Sequence, residues 1–476
     1  MKPSLYSPLA ALLLVSILSC GQPDQPRNGQ AGTADPPGTA SQLIGHALKY
    51  DPNKSVNGGK PIQIEFWTQV DYEDIYQQLV QDYMALHPNV EITLSSLSWS
   101  DHRSRLAAAL ETGIGPDLFH MHNSMSSQLI AHLEPYPRTV FPLEILEQDF
   151  RQVRSHLLDG HLYFIDTGLM TGAMLYNIQH WKEAGLTDAD IPKNWDQLYA
   201  LAQKLTIQDD DGTVIRAGFN PNGMGYPLFA ALNLQQGLPL FSYSNPRRPL
   251  IAFQESLRSL EYIRRFYTEP RVTDPYLPEA HESFGFGSSS IIYAWGWVLN
   301  WLNRNAPQID FATFPLPSWT GEIPPAYDRN NGEVSMGVNR HAPLENQAVA
   351  FDLIAYYLAS DAYLLTLSQQ FGTYPSKISL DANDGIVDGQ NLSAFQTILE
   401  RTVWPGALPQ TYEEHLVRYV LDPVLIDGAD PVMALVTADR VITPIMRFES
   451  FLSREQRYVH AGEFKREYYA IPSGSE

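Results

Sequence analysis

Trp295 and Trp297 stand two residues apart, with only Gly296 between them. Two indoles at that spacing share one face of a strand, or both line a cleft if the glycine makes a tight turn. Indole faces stack on apolar C–H surfaces, while amides and hydroxyls nearby exchange hydrogen bonds in the ring plane. A site for polyhydroxylated rings needs that combination, because such ligands present apolar faces and a rim of hydroxyls. The chain contains nine Trp and 25 Tyr, enough to build one. Trp295 is the expected stacking platform, and Trp297 is either a second platform or a cover over a hinge. A further constellation is His120, Met121, His122 and Asn123. Its imidazoles and amide suit hydroxyl binding or a plain structural role. Two histidines one residue apart could also hold a metal, but no carboxylate or Cys cluster accompanies them at a ligand spacing. Thr68, Gln69 and Asp71 form a polar run that could bind hydroxyls. Trp67, just before them, reads either as a strand-end packing residue or as a contact.

Catalytic motifs are missing from the sequence. There is no Gly-x-Ser-x-Gly, no His-Glu-x-x-His and no Walker loop. Carboxylates are abundant, so a glycosidase pair is not excluded by counting, and its geometry is not written in sequence. No cofactor is expected.

The elements that must position these residues follow from periodicity. Ile62, Ile64 and Phe66 alternate and mark a strand. Tyr72, Ile75, Tyr76, Leu79, Val80 and Tyr83 recur at helical spacing, and His87-Pro88 ends that helix. Val90, Ile92 and Leu94 alternate again. A second helix runs over 101–111 and stops at Gly113 and Gly115, and a third strand begins at Asp117. Strands that alternate with helices imply a parallel sheet, hence the α/β class. In open α/β sheets ligands bind beyond the carboxyl ends of the strands. Trp67-Thr68-Gln69, Ser98-Trp99 and His120-Met121-His122-Asn123 all fall there. Further on, Asn194-Trp195-Asp196-Gln197 reads as a capping box, with Trp195 packing at the helix start. The run of Asp209, Asp210, Asp211 and Gly212 lacks the spacing of a calcium loop and reads as a hairpin turn.

At the N-terminus, Lys2 precedes an apolar run, Leu9 to Leu18, that is too short to span a bilayer. Cys20, the single cysteine, follows at once and resembles a bacterial lipobox, so residues 1–19 are expected to be a signal peptide and Cys20 to be acylated. Gly21 gives no clear signal for the inner or the outer membrane. Residues 21–60 hold five Pro and seven Gly, a tether composition that would span on the order of 35 Å. A short helix over 41–49 is possible there. A formal net charge of −21 makes nucleic acid and anionic membrane surfaces poor partners. At 476 residues the chain exceeds what one core supports, so two lobes are expected.

The order of motifs resembles the family 1 extracellular solute-binding proteins, which include the maltose- and maltodextrin-binding proteins. The resemblance runs from about Pro61 to about Pro375. It rests on Gly115-Pro116-Asp117-Leu118-Phe119, on Gly160-His161-Leu162-Tyr163 with Leu175-Tyr176-Asn177, and on Trp181-Lys182-Glu183-Ala184-Gly185-Leu186 with Asn194-Trp195-Asp196. Tyr226-Pro227-Leu228-Phe229, Ala294-Trp295-Gly296-Trp297 and Phe371-Gly372-Thr373-Tyr374-Pro375-Ser376 complete the series. It departs at Gly287-Ser288-Ser289-Ser290-Ile291, where relatives carry Gly-Lys-Ala-Ala-Met, and at Met121, where they carry an aromatic residue. The resemblance implies a type II periplasmic-binding-protein fold, with two α/β lobes, a hinge and an interlobe cleft. One lobe would take 61–168 and 333–371, and the other 169–332 and 372–476. It places Asn222 and Tyr226 beside the ligand and Tyr374 at the last crossover. It implies an exported, lipid-anchored monomer that captures a carbohydrate by lobe closure and hands it to the membrane subunits of an ABC importer. Two other readings share the same features: a secreted carbohydrate-active hydrolase, and a binding protein for a polyamine, peptide or metal chelate.

Overall fold

In the computed structural model, residues 43–238, 256–268, 270–382, 392–406 and 410–446 are described. The expected signal peptide, Cys20 and residues 21–42 lie outside them. Strand β1 (Ile62–Gln69) buries Ile64, Phe66 and Thr68 on one face, as its alternation requires. Helix α1 (Glu73–Leu86) buries Ile75, Tyr76, Leu79, Val80 and Tyr83 along one stripe. After β2 (Val90–Leu97), Ser98 caps α2 (Trp99–Glu111) by accepting the N–H of Asp101 at 3.2 Å. Strand β3 (Leu118–Met121) follows, and β1 pairs in parallel with both β2 and β3.

The chain then leaves this sheet. Strand β4 (Gly168–Met170) runs into β5 (Gly172–Asn177). The predicted capping box is present at α3 (Trp195–Leu205), with the N–H of Gln197 donating to Asn194 at 2.9 Å. Strands β6 (Ile207–Gln208) and β7 (Val214–Asn220) form the predicted hairpin, whose turn is closed by N–H groups of Asp211 and Thr213 on the Asp209 carboxylate. Then come α4 (Gly225–Gln235), β8 (Ser289–Trp295), α5 (Trp297–Asn305) and β9 (Phe311–Phe314). The second sheet has the order β9-β5-β8-β7-β6. Strands β10 (Asp328–Arg329), β11 (Asn331–Glu333) and β12 (Ser335–Val338) lead back, and β12 closes the first sheet antiparallel to β3, in the order β12-β3-β1-β2. Helix α6 (Leu344–Ala359) packs on that first sheet, α7 (Asp361–Phe371) packs on α1 and α6, and the chain then reaches β13 (Tyr374–Pro375). Strands β11, β4 and β13 pair with one another as a separate antiparallel sheet. Each lies where the chain passes between the two larger sheets, so three crossovers are tied together by backbone hydrogen bonds. Val334, between β11 and β12, is a buried β-branched residue held at φ 59°, a conformation of intrinsic strain.

Two expectations are corrected. Residues 43–60 are not tether. Leu48, Tyr50 and Val56 are buried, the N–H groups of Ala47 and Leu48 donate to Asp149, and the Tyr50 hydroxyl donates to Asp352 at 2.9 Å. Scattered apolar residues between turn formers hid this segment, and 43–49 form no helix but a bridge between Ile44 and Tyr50. Nor does all of the chain after 371 belong with the second sheet. Lys377 is fully buried against the first, donating to the carbonyls of Leu358 and Ala359 at 2.9 and 2.8 Å and pairing with Asp361 at 2.7 Å. The carboxyl end of α6 leaves carbonyls without helical partners, and a cation satisfies them. From Ser393 the chain packs on the second sheet, and β14 (Thr402–Val403) pairs with β10.

Candidate functional site

Between the elements of the two large sheets lie two cavities, of about 770 and 640 Å³. Both are lined by Trp99, His122 and Trp297, so they form one continuous cleft. The first sheet contributes from the carboxyl ends of its parallel strands: Gln69, Asp71 and Tyr72 after β1, Trp99 and Arg103 after β2, and His122 and Asn123 after β3. Opposite stand Trp295 at the end of β8, Trp297 and Trp301 on α5, and Tyr226 in the first turn of α4. Met170, Arg329, Asn331 and Phe371 line it from the crossovers, and Trp404, Tyr412 and Glu413 from the C-terminal part.

The Trp-Gly-Trp turn has a steric origin. A Cβ on Gly296 would lie 2.0 Å from the carbonyl oxygen of Gly372, so two glycines meet back to back where α5 begins. That contact lets β8 turn sharply into α5 beside the third crossover. Trp295 is 4 % exposed, and its indole N–H donates to the Tyr293 hydroxyl at 2.7 Å. Tyr293 in turn donates to Asp328 at 2.6 Å. This chain of bonds fixes the indole plane at the cleft floor. Trp297 is 38 % exposed and faces both cavities. Burial pushes the Asp328 carboxyl up to about 6, although Tyr293 and the N–H groups of Gly172 and Arg329 all donate to it. Arg329 lies beneath the rings of Tyr226 and Trp295, at 4.6 and 5.1 Å from their centroids.

Of the residues singled out from sequence, Trp295, Trp297, His122, Asn123, Gln69, Asp71 and Tyr226 line the cleft. Five others do not. His120 is wholly buried, stacked behind the cleft residue Tyr72 at 4.5 Å, and burial holds its imidazole well below the ordinary value. The strand ends between the two histidines, so the rings do not converge on one point. Thr68 points into the core beneath β1. Trp67 donates its indole N–H to Glu65 at 2.7 Å. Asn222 spends its amide N–H groups on the carbonyls of Asp274 and Leu277, and its oxygen accepts from Tyr267. Tyr374 donates to Asp381 and accepts from Gln396. For Trp67, Asn222 and Tyr374 a backbone or side-chain partner in the fold takes up the polar group, whereas Thr68 and His120 are withdrawn by burial. Sequence reading missed Trp404, Tyr412, Arg103 and Arg329 as cleft residues. Nothing local marks them, although Trp99, also left out of the candidates, already stood at the carboxyl end of a predicted strand. Among the described residues no group of three His, Cys, Asp or Glu is placed to hold a metal.

This arrangement offers broad aromatic faces with amides, an imidazole and charged groups at their edges. The model of the family described as "Bacterial extracellular solute-binding protein" matches residues 69–363. The arabinooligosaccharide-binding protein of Bacillus subtilis (strain 168) is 25 % identical over 189 residues, 36 % of this chain and 43 % of that protein. The chain thus aligns with less than half the length of that relative. Among solved structures, the maltose/maltodextrin-binding domain MalE from Bdellovibrio bacteriovorus bound to maltotriose has a TM-score of 0.65 at 18 % identity, covering 81 % of this chain and 100 % of that one. The cyclic alpha-maltosyl-1,6-maltose binding protein from Arthrobacter globiformis has a TM-score of 0.66 at 19 % identity, covering 81 % and 99 %. An ABC substrate-binding protein from Listeria monocytogenes in complex with cycloalternan has a TM-score of 0.66 at 16 % identity, covering 82 % and 100 %. The fold is therefore that of the maltose-binding type of periplasmic binding protein, and the similar proteins are binders rather than enzymes.

Proposed function

We propose that this chain, which belongs to the bacterial extracellular solute-binding proteins, binds a carbohydrate outside the cytoplasmic membrane and delivers it to an ABC importer. The observation that carries this reading is the cleft surface: five of the nine tryptophans line it, namely Trp99, Trp295, Trp297, Trp301 and Trp404. Indoles gathered from both sheets and the C-terminal part give stacking faces on more than one side of a ring. The named ligands of the similar proteins are all saccharides, which supports the same class here.

Capture then works by lobe closure. Trp99 and His122 stand on the first sheet's side, Trp295 and Trp297 on the second's, so a ligand touching both favours the closed arrangement. The sheet of β4, β11 and β13 is the natural hinge, because only short crossover strands join the halves there. Shifting such a hinge from mostly open to mostly closed takes roughly 5 kcal/mol of differential affinity. Several stacked rings with satisfied hydroxyls can supply that. The anchor at Cys20 belongs to the same reading, as does a monomeric state, and no reaction is assigned to the cleft.

The test is a thermal-shift titration of the full chain against mono- and oligosaccharides, polyamines and divalent metals. A native-state ligand at a hundredfold excess over Kd adds about 2.7 kcal/mol. A shift with a saccharide, reduced in Trp297→Ala, supports the reading. A shift with polyamine or metal alone overturns the carbohydrate assignment.

A further inference from the structure

The cleft holds a charge that stacking on neutral rings leaves unused. Arg329 is 7 % exposed, yet its guanidinium lines the larger cavity. Among the described residues its side chain makes one hydrogen bond, from Nη1 to the Tyr226 hydroxyl at 3.3 Å. Its Nε is buried with no partner. No carboxylate of the described residues lies within 4.0 Å of it. Asp328, its neighbour in sequence, turns its oxygens to Tyr293, Gly172 and the backbone of Arg329 instead. The other faces of the guanidinium are taken by the rings of Tyr226 and Trp295.

Three acids line the same cavity, Glu413, Glu414 and Asp422; the fields of Glu413 and of Asp328 reach the guanidinium, but neither carboxylate bonds to it, and the three lining acids are exposed. Rim carboxylates remain hydrated and screened. A desolvated guanidinium does not, and it is costly unless something pairs with it. Arg103 and Arg418 add two more cations to the lining, each lying over an aromatic ring, Trp99 and Tyr419 respectively. Arg418 is exposed and Arg103 half-buried, so Arg329 is the buried charge of this lining, while the acids are at the mouth.

Resting on the carbohydrate reading above, we propose that the ligand is an acidic saccharide, whose carboxylate pairs with Arg329 on the cleft floor. A carboxylate brings two oxygens in one plane, which match the planar guanidinium fork, and a single charge, which neutralises it. The unpartnered donors then become part of the recognition, and a ligand lacking the carboxylate leaves them unpaired. Sites built to satisfy a polar partner discriminate strongly against analogues that lack it.

The experiment measures calorimetric affinities of the full chain for saccharides in matched pairs. Each pair is a neutral hexose oligomer and its hexuronate counterpart oxidised at C6, with a C6-sulfated oligomer and inorganic sulfate alongside. The hexuronate is expected to bind roughly tenfold tighter or more than its neutral partner. Arg329→Gln should erase that difference, and Arg329→Lys should keep part of it. Equal or better binding of the neutral member overturns the proposal, as does a preference that survives in Arg329→Gln. A preference for the sulfated oligomer overturns the carboxylate, and binding of inorganic sulfate as tight as that of the hexuronate overturns the saccharide. If Arg329→Gln does not fold, the wild-type pairs and Arg329→Lys decide alone. Neutral saccharides binding best would leave the carbohydrate reading intact, whereas no saccharide binding at all would sink both.

Discussion

Removing one phenol from the segment before β1 tests whether that segment is part of the folded body. The Tyr50 hydroxyl donates to Oδ2 of Asp352 at 2.9 Å and meets Nε2 of His87 at 2.6 Å. Burial, followed by the field of Asp352, pushes the Tyr50 phenol well up, so it remains a donor. Asp352 is 6 % exposed and keeps two other partners, the Tyr83 hydroxyl at 2.7 Å and Lys54. A hydrogen bond to a charged group contributes about 1.5–3 kcal/mol. With two partners left in place, Tyr50→Phe should cost about 2 kcal/mol. Tyr50→Ala also removes a ring that is 2 % exposed and packs against Tyr356 at 5.2 Å. Truncations of buried aromatic side chains cost about 3–5 kcal/mol, so the total should reach about 5 kcal/mol. The assay is urea unfolding of the full chain, comparing midpoints at constant slope. Tyr276→Ala, at a residue 84 % exposed, serves as the control and should change little. If both Tyr50 variants unfold with the wild-type midpoint, the segment 43–60 adds nothing to the lobe, and the argument from its burial fails.

Other outcomes follow from the same structure. Trp297→Ala should leave the melting temperature almost unchanged, because the side chain is 38 % exposed, but weaken saccharide binding about tenfold, read by calorimetry. Asp328 titrates higher in the folded state than in the unfolded chain, so its contribution to stability is full below about pH 4 and is lost as pH rises through about 6. The rise from 3.8 to about 6 corresponds to about 3 kcal/mol, and Asp328→Asn should flatten that part of the stability profile in urea unfolding from pH 4 to 8. Lys377→Met should cost about 2–3 kcal/mol, since two carbonyls at the end of α6 lose their buried donor; a melting temperature equal to wild type would contradict that. Cys20→Ala should move the protein from the membrane to the soluble fraction of fractionated cells, and unchanged partition would remove the anchor from the proposal.

What could be read from the sequence was whatever depends on near neighbours in the chain. The alternation of Ile62, Ile64 and Phe66 and the stripe from Ile75 to Tyr83 gave the first sheet and its helix, because burial of one face leaves a period. Parallel pairing implies a cleft beyond the ends of β1, β2 and β3, and Gln69, Asp71, His122 and Asn123 are there. The capping box at Asn194 and the hairpin at Asp209 are local hydrogen-bond patterns and were equally legible. Long-range contact decided the rest. His120 and His122 look alike in sequence, yet one stacks in the core and the other lines the cleft, because β3 ends between them. Asn222 and Tyr374 are polar groups whose partners come from segments distant in the chain or in the turn of the fold. Tyr50 is buried against partners far along the chain, the ring of Tyr356 and the carboxylate of Asp352, which accepts its hydroxyl hydrogen bond. Arg329 became the floor of the cleft only when Tyr226 and Trp295 closed on it from two other elements. A charge gives no period, so its burial is fixed by packing and not by the residues beside it.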